Sequence, residues 1–220
     1  PIMAELRAVK SPIEIELMQN AIDITGKAFR RILGFIRPGV MEYEIEAQIT
    51  HEFLSNAATG HAYTPIVASG ANSNVLHYIS NHNECREGEL ILLDFGAEYA
   101  NYAADLTRTI PVNGKFTRGQ REVYDAVLRV MRAATKMLVV GNTIPKYHEE
   151  AGKIMEQELI GLGLLKAEDV KRQDQKSPLY KKYFMHGTSH FLGLDVHDIG
   201  DKYKPMQAGM VFTCEPGIYI

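Results

Sequence analysis

The sequence predicts an α+β fold built from two similar halves, and three observations support this prediction. Helix-like and strand-like stretches follow one another in the order helices, strands, helices, strands. A frame that runs from a glycine through an apolar stretch to a carboxylate occurs twice. The 220 residues include 45% hydrophobic and 23% charged residues, which is typical of a globular protein with a sizeable core. We therefore expect one domain over residues 1–220, with halves at about 1–115 and 116–220.

Helices are expected to begin the first half. Ser11 is a candidate N-cap, Pro12 suits the first helical position, and Glu14 completes a capping box. Apolar residues then recur at helical spacing, which predicts a helix over residues 11–35. A second helix is expected over residues 43–54.

Strands are expected next, and the second half repeats the order. Residues 63–112 consist of short apolar runs separated by Gly, Asn and Pro, which predicts strands. Helices are then expected over residues 117–140 and 144–162. The charged, turn-rich residues 166–182 are interpreted as an exposed connection, and the tail from Phe184 onward is again strand-like.

The repeated frame aligns without a gap. Residues 86–96 match residues 207–217, and each copy reads glycine, a stretch led by apolar residues, a carboxylate, one further residue and glycine. The two carboxylates are Asp94 and Glu215. A histidine also stands 11 or 12 residues before the first glycine of each copy: His77 and His197. The repeat predicts two similar halves that each deliver a carboxylate to one central site.

Composition and charge exclude several classes of protein. The formal net charge is −3 and no basic stripe is present, so nucleic-acid binding is not expected. Apolar runs such as Leu90–Leu93 are too short to span a bilayer, and the first residues lack the pattern of a signal peptide. Two cysteines, Cys85 and Cys214, disfavour a disulfide framework and fit a reducing compartment. The sequence therefore predicts a soluble cytoplasmic domain that binds neither nucleic acid nor membrane.

Two aspartates carry the first chemical signal. Asp94 ends an apolar run, where a buried acid is costly unless it is paired or bound to a metal. Asp105 follows eleven residues later, after a polar stretch that suits a hairpin turn. Such a hairpin would place the carboxylates side by side, where a cation would relieve their repulsion. In the alternative interpretation, Asp94 caps a turn through Gly96 and Asp105 pairs with Arg108.

Histidines and a glutamate carry the second signal. Residues 186–198 contain three histidines: His186, His190 and His197. Gly187 stands where a zincin helix would have its catalytic glutamate, so the pattern is a different one. A lone histidine near an apolar run is usually a hydrogen-bonded structural residue, and Glu215 could be a strand-end turn residue. Three histidines in a chain whose carboxylates also need a cation favour a metal site instead.

These segments together resemble the pita-bread (creatinase/aminopeptidase) metallopeptidases. The segments that carry the likeness are Leu93-Asp-Phe-Gly96, Ala104-Asp-Leu-Thr-Arg-Thr109, His186 through Asp198, and Cys214-Glu-Pro-Gly217. The nearest likeness is to Xaa-Pro aminopeptidase (aminopeptidase P), with prolidase next. The resemblance implies a pita-bread fold and two divalent metal ions held by four residues of this chain: Asp94, Asp105, His190 and Glu215. Carboxylate oxygens with one imidazole suit Mn²⁺, with Co²⁺ or Zn²⁺ as alternatives.

The resemblance also implies an activity. It implies removal of the N-terminal residue from peptides with proline in second position, through a hydroxide that bridges two metal ions. Glu215 would handle the proton of the attacking water. Three histidines would line the substrate pocket: His77, His186 and His197. The partners expected are peptides with an Xaa-Pro N-terminus, and the question of a homo-oligomer stays open.

Three other interpretations remain beside this one. A prolidase-type dipeptidase would act on Xaa-Pro dipeptides alone. A non-catalytic binding module could share the fold, because fold does not fix function. A metal-independent creatinase-type hydrolase is disfavoured, because the ligand residues are present.

One departure from the family pattern concerns the ends of the chain. The family uses a fifth ligand, a second glutamate on a further strand, and this sequence ends at Ile220 before such a strand. The domain that usually precedes the catalytic domain in aminopeptidase P is not part of the sequence either. We therefore expect a C-terminally truncated form that binds its second metal ion weakly and is inactive by itself.

Overall fold

The chain forms two compact units in the computed structural model, which describes residues 2–174 and 176–220. The first unit contains the described residues up to Thr117 together with Phe191–Gly200. The second unit contains those of Arg118–His190 together with Asp201–Ile220. The short segment Phe191–Gly200 therefore packs with the first unit, although it lies late in the sequence.

Three helices open the first unit: α1 at Ile2–Ala8, α2 at Pro12–Leu33 and α3 at Glu42–Ser55. The predicted start of α2 is confirmed, since the backbone N–H and the hydroxyl of Ser11 both donate to Glu14 Oε2 at 2.8 Å. The helix ends two residues before the predicted end. Gly34 donates its N–H to the Arg31 carbonyl there, which tightens the last turn.

Six short strands follow: β1 at Gly60–His61, β2 at Ile66–Ser69, β3 at Leu90–Phe95, β4 at Ala97–Tyr99, β5 at Tyr102–Ala103 and β6 at Leu106–Pro111. They form two antiparallel sheets with the strand orders β1-β4-β5 and β2-β3-β6. The prediction of strands over residues 63–112 is confirmed. In β3, Ile91, Leu93 and Phe95 are fully buried, so the side chain of Asp94 lies on the opposite face of the strand.

A tight hairpin between β4 and β5 brings the chain back beside β3. Ala100 and Asn101 both have positive φ, at 51° and 69°, as a two-residue hairpin turn requires. Gly96 lies so close to the returning chain that a Cβ there would be 1.7 Å from the Ala104 carbonyl oxygen. Glycine at this position therefore permits the close approach that places Asp105 next to β3.

The second unit is mainly helical, with α4 at Arg118–Thr135, α5 at Ile144–Gly161 and α6 at Ala167–Arg172. The prediction that α4 reaches residue 140 is wrong, and it ends at Thr135. Beyond that residue, the N–H groups of Met137 and Leu138 donate to carbonyls three residues back, which tightens the helix into turns. The start of α5 agrees with the prediction, and Thr143 caps it by accepting the Lys146 N–H.

Two predictions for the second unit need correction. Residues 166–182 are more than an exposed connection, because they contain α6 and a 3₁₀ turn at Leu179–Lys182 whose Tyr180 is buried. The tail is not a strand: in the described residues 184–220 the backbone forms isolated bridges at most. The Thr213 and Glu215 N–H groups donate to the His190 and Thr188 carbonyls in antiparallel spacing. These contacts join two extended segments without a continuous ladder.

The internal repeat is visible in backbone geometry, independently of the side chains. Gly88 and Gly209, the first glycines of the two copies, both have positive φ, at 82° and 87°. Asp94 and Glu215 each follow at the same distance in sequence.

The repeat extends to the turns before α3 and α5. In the first unit, Gly39 donates its N–H to the Cys85 carbonyl and Cys85 donates to the Val40 carbonyl, at 2.9 and 2.8 Å. In the second unit, Gly141 donates to the Met206 carbonyl and Met206 donates to the Asn142 carbonyl, at 2.9 and 2.7 Å. Gly39 and Gly141 have φ values of 90° and 91°. The two units therefore repeat the same local construction around their carboxylates.

Two further predictions concern cysteine and membranes. Cys85 and Cys214 are both free thiols. Among the described residues, no helix combines the length and apolar character that crossing a membrane requires.

Candidate metal centre

Asp94 and Asp105 meet at one hydroxyl in the first unit. The phenolic O–H of Tyr63 is 2.6 Å from Asp94 Oδ1 and 3.1 Å from Asp105 Oδ1. Asp94 lies near the end of β3, opposite Ile66 on one side and Thr107 on the other. Asp105 directly precedes β6. The hairpin thus brings the two carboxylates together as the sequence suggested.

Tyr63 joins the two aspartates but offers only one proton. Burial raises the pKa of Tyr63 above its ordinary value, and the charges of Asp94 and Asp105 raise it further, so the phenol stays protonated. The one phenol proton is therefore shared between the two carboxylates. Two adjacent carboxylates supply the oxygen ligands that a hard divalent cation prefers, and such a cation would relieve their mutual repulsion.

His190 and Glu215 meet in the second unit. His190 Nε2 is 3.2 Å from Glu215 Oε1, and the Thr213 hydroxyl donates to the same carboxylate oxygen at 2.8 Å. Thr213 also accepts the His190 backbone N–H at 3.0 Å, so one threonine orients both residues. An imidazole nitrogen and a carboxylate oxygen that face each other at this distance are also suitable metal donors.

The backbone of Glu215 is anchored by the histidine-rich segment. Its N–H donates to the carbonyl of Thr188, a residue only 1% exposed whose hydroxyl lies 2.8 Å from His148 Nδ1. Burial by itself would raise the pKa of Glu215, but the hydrogen bond and charge of His190 and the hydroxyl of Thr213 outweigh it and hold that pKa below 4.5. Glu215 is therefore an ionised carboxylate at neutral pH.

The three remaining predicted histidines are divided between the two units. His77 and His197 are exposed in the first unit, the former in the loop between β2 and β3 and the latter in Phe191–Gly200. His77 has a φ of 56°, which is unusual for a residue with a side chain. His186 lies in the second unit.

His186 is held in one tautomer. Its Nδ1 is 2.8 Å from the Gly187 carbonyl oxygen, and since a carbonyl can only accept, Nδ1 carries the proton. Nε2 is then free to accept from the Tyr219 hydroxyl at 3.0 Å. The ring also stacks edge-on against Phe184 and Tyr219. Its orientation is thus fixed by contacts within the second unit.

Each unit contains a pair of candidate donors rather than a complete set of ligands. Among the described residues, no group of three or more His, Cys, Asp and Glu side chains is close enough to hold a metal ion, so the four predicted ligands form two pairs and not one cluster. Sequence reasoning missed Tyr63 and Thr213, which orient the two pairs. No local pattern marks Tyr63, because its partners lie 31 and 42 residues away in sequence.

The family of the chain follows from a comparison with protein-family models. The model of metallopeptidase family M24 matches residues 16–220. The chain belongs to metallopeptidase family M24. Family M24 membership confirms the resemblance to metallopeptidases seen in the sequence.

Individual M24 relatives are similar along the whole chain. The Xaa-Pro aminopeptidase of Haemophilus influenzae is 45% identical over 100% of this chain and 52% of its own length. The Xaa-Pro dipeptidase of Homo sapiens is 36% identical over 100% of this chain and 48% of its own length. This chain therefore spans about half the length of the relatives it matches.

A solved M24 structure has the same fold. Zinc-substituted Escherichia coli aminopeptidase P in complex with product matches with a TM-score of 0.93 at 43% identity, over 100% of this chain and 50% of that one. The predicted pita-bread fold, with mixed helix and sheet, is therefore confirmed.

Proposed function

We propose that this chain is the metal-binding part of an aminopeptidase that removes the N-terminal residue from peptides with proline in second position. The observation that carries the proposal is the repeated frame, which places Asp94 beside Asp105 in one unit and Glu215 beside His190 in the other. The similarity to the Xaa-Pro aminopeptidase of H. influenzae supports the same activity.

The proposed ligands of the metal ions are the two donor pairs: Asp94, Asp105, His190 and Glu215. Three carboxylates and one imidazole favour Mn²⁺, with Co²⁺ or Zn²⁺ as alternatives. When bound, a divalent ion acidifies a water molecule and polarises the carbonyl of the scissile peptide bond. Tyr63 and Thr213 orient the ligands, which preserves the geometry that a metal requires.

Glu215 is proposed to receive the proton of the attacking water. It is ionised at neutral pH and is oriented by Thr213, so it can accept a proton. The histidines proposed to contact the substrate are His77, His186 and His197. Proline in second position offers no backbone N–H and bends the peptide, so a dedicated pocket is needed to recognise it.

A prolidase-type dipeptidase is the second candidate. The 36% identity to the human Xaa-Pro dipeptidase favours it specifically. The two activities differ in substrate length, so hydrolysis of an Xaa-Pro dipeptide is compared with hydrolysis of an Xaa-Pro-Xaa tripeptide. Cleavage of the tripeptide supports the aminopeptidase, whereas cleavage of the dipeptide alone supports the dipeptidase.

The function is tested on the purified full-length protein loaded with Mn²⁺. Asp105→Asn and His190→Ala each remove one proposed ligand and should abolish release of the first residue. Asp195→Asn is the matched control, since it changes an exposed carboxylate five residues after His190 and should leave turnover unchanged. Unchanged turnover in the ligand variants would refute the assignment. Fewer than one bound transition metal per chain would favour a peptide-binding module.

Two finer proposals concern the cell. The scarcity of cysteine supports a reducing, cytoplasmic location. The negative net charge supports peptides rather than nucleic acids as the partners.

A further inference from the structure

Glu42, the first residue of α3, is a carboxylate with no solvent exposure. It belongs to neither donor pair. A buried charge is costly unless hydrogen bonds compensate for the lost water, so the partners of Glu42 reveal what it does.

The carboxylate of Glu42 accepts four hydrogen bonds. Oε1 accepts the backbone N–H and the hydroxyl of Ser69, both at 2.7 Å. Oε2 accepts the Tyr78 hydroxyl at 2.8 Å and the Asn83 backbone N–H at 2.9 Å. Four bonds fill the acceptor sites of a carboxylate, and the position at a helix N-terminus favours its negative charge.

These four bonds close the loop between β2 and β3. Ser69 ends β2 and Asn83 lies beyond the loop, so one carboxylate holds both ends of residues 70–82. The backbone N–H of Glu42 also donates to the Asn83 carbonyl at 2.9 Å. Tyr78 ties the middle of the loop to the same group.

A second buried polar side chain fixes the base of this loop. Asn81, 3% exposed, accepts the Val67 N–H at 2.9 Å and donates to the Pro65 carbonyl at 2.9 Å. The side-chain amide of Asn81 also donates a hydrogen bond to the carboxylate of Glu46 on α3. The loop is therefore joined to β2 and α3 by polar contacts, while its own apolar side chains Val75 and Ile79 stay 54% and 61% exposed.

His77 is one of two residues in this loop, with Asn81, that have a side chain and a positive φ. It directly precedes Tyr78, its side chain is exposed, and its φ of 56° is one that residues with side chains rarely adopt. Such a conformation persists only where the surroundings fix it, and it is frequent at functional sites. The bond from Tyr78 to Glu42 supplies that constraint one residue away.

We propose that Glu42 is a positioning residue for His77, a buried carboxylate that closes loop 70–82 and holds the histidine in its left-handed conformation. The inference rests on the proposed function in one respect, the contact of His77 with substrate. Glutamine cannot replace Glu42, because an amide has a single acceptor oxygen. The backbone N–H groups of Ser69 and Asn83 bind different oxygens, so one of them would face an NH₂ group.

The experiment is a double-mutant cycle in the metal-loaded full-length protein, with an Xaa-Pro-peptide as substrate. His77→Ala should lower kcat by about 10²-fold, as loss of a group that stabilises the reacting carbonyl does. Glu42→Gln should lower kcat by about tenfold or more, because a small displacement of such a group is costly, with a smaller change in KM. In the His77→Ala background the same substitution should change kcat by less than about twofold.

Glu44→Gln is the matched control. Glu44 lies two residues further along the first turn of α3, is exposed, and accepts the Met41 N–H at 2.8 Å without touching the loop. The Glu44→Gln substitution should leave kcat unchanged. Amide hydrogen exchange adds a structural readout. Glu42→Gln should raise the exchange rates of the Ser69 and Asn83 amides, while the exchange rates in α2 stay unchanged.

The outcomes separate the positioning role from the proposed function. If the effect of Glu42→Gln on kcat is as large without His77 as with it, or no larger than that of Glu44→Gln, the positioning role is refuted while the activity stands. If the wild-type protein cleaves no Xaa-Pro-peptide, the proposed function fails, and unchanged exchange in the loop would then refute the inference separately. Should Glu42→Gln not fold, Tyr78→Phe removes one bond to the same carboxylate and enters the same cycle.

Discussion

Asp198→Asn should destabilise the first unit strongly, because Asp198 is the counter-ion of a buried lysine. The side chains of Asp198 and Lys10 are each 1% exposed, and Lys10 Nζ is 3.1 Å from Asp198 Oδ2. Arg7 also pairs with Asp198. Loss of the negative charge removes the ion-pair partner of the buried Lys10 ammonium, which costs about 3–5 kcal/mol of unfolding free energy.

Asp195 provides the control on the same arginine. It pairs with Arg7 at 2.6 Å but is 62% exposed, and an exposed ion pair contributes about 0–1 kcal/mol. Asp195→Asn should therefore cost much less than Asp198→Asn. Lys10→Met should fall between the two, since Asp198 keeps Arg7 as its partner.

The assay is urea unfolding at neutral pH, with the free energy of unfolding of each variant compared with that of the wild type. An equal or larger loss in Asp195→Asn would refute the reasoning, because burial would then not decide the cost. The prediction also bears on His197, one of the residues proposed to contact the substrate. Asp198 follows His197 directly, so the ion pairs fix the segment Phe191–Gly200 that carries this histidine in the first unit.

Two further predictions concern the tyrosine between the aspartates and the half-buried His61. Tyr63→Phe removes the hydroxyl that orients Asp94 and Asp105 and should weaken Mn²⁺ binding about tenfold or more by calorimetry. Tyr102→Phe, whose hydroxyl donates to a carboxylate outside the donor pairs, should leave binding unchanged. Burial lowers the pKa of His61 below 6.5, so this histidine binds a proton more readily in the unfolded chain than in the folded one. The free energy of unfolding should therefore fall as the pH drops below about 6.5. His61→Gln should flatten this pH dependence in urea unfolding, and an unchanged slope would exclude His61 as its source.

Local signals predicted most of the elements correctly. The start of α2 was readable because Ser11, Pro12 and Glu14 lie within one turn, and a cap depends only on neighbours in sequence. The strands over residues 63–112 could be predicted because Gly, Asn and Pro separate the short apolar runs. The tail after Phe184 has the same texture but forms no regular strand in the described residues, because strand formation depends on a partner segment and not on propensity alone.

The site divides in the same way. Asp94 and Glu215 could be proposed from the sequence because the repeat gives both the same spacing from a glycine. Tyr63 could not be found, and neither could Glu42, whose hydrogen-bond partners lie 27 to 41 residues away. Nothing in the immediate sequence of either residue indicates which groups it will meet.

The sequence by itself determined the duplicated α+β plan, the family likeness and the identity of the proposed ligand residues. Each depends on spacing along the chain, which is fixed by covalent structure before folding. Only the tertiary structure decided which groups orient those residues: the Tyr63 hydroxyl for the aspartates, Thr213 for His190 and Glu215, and Glu42 for the loop of His77. Hydrogen bonds of this kind depend on distances of about 3 Å between segments remote in sequence, and only the packed chain sets those distances.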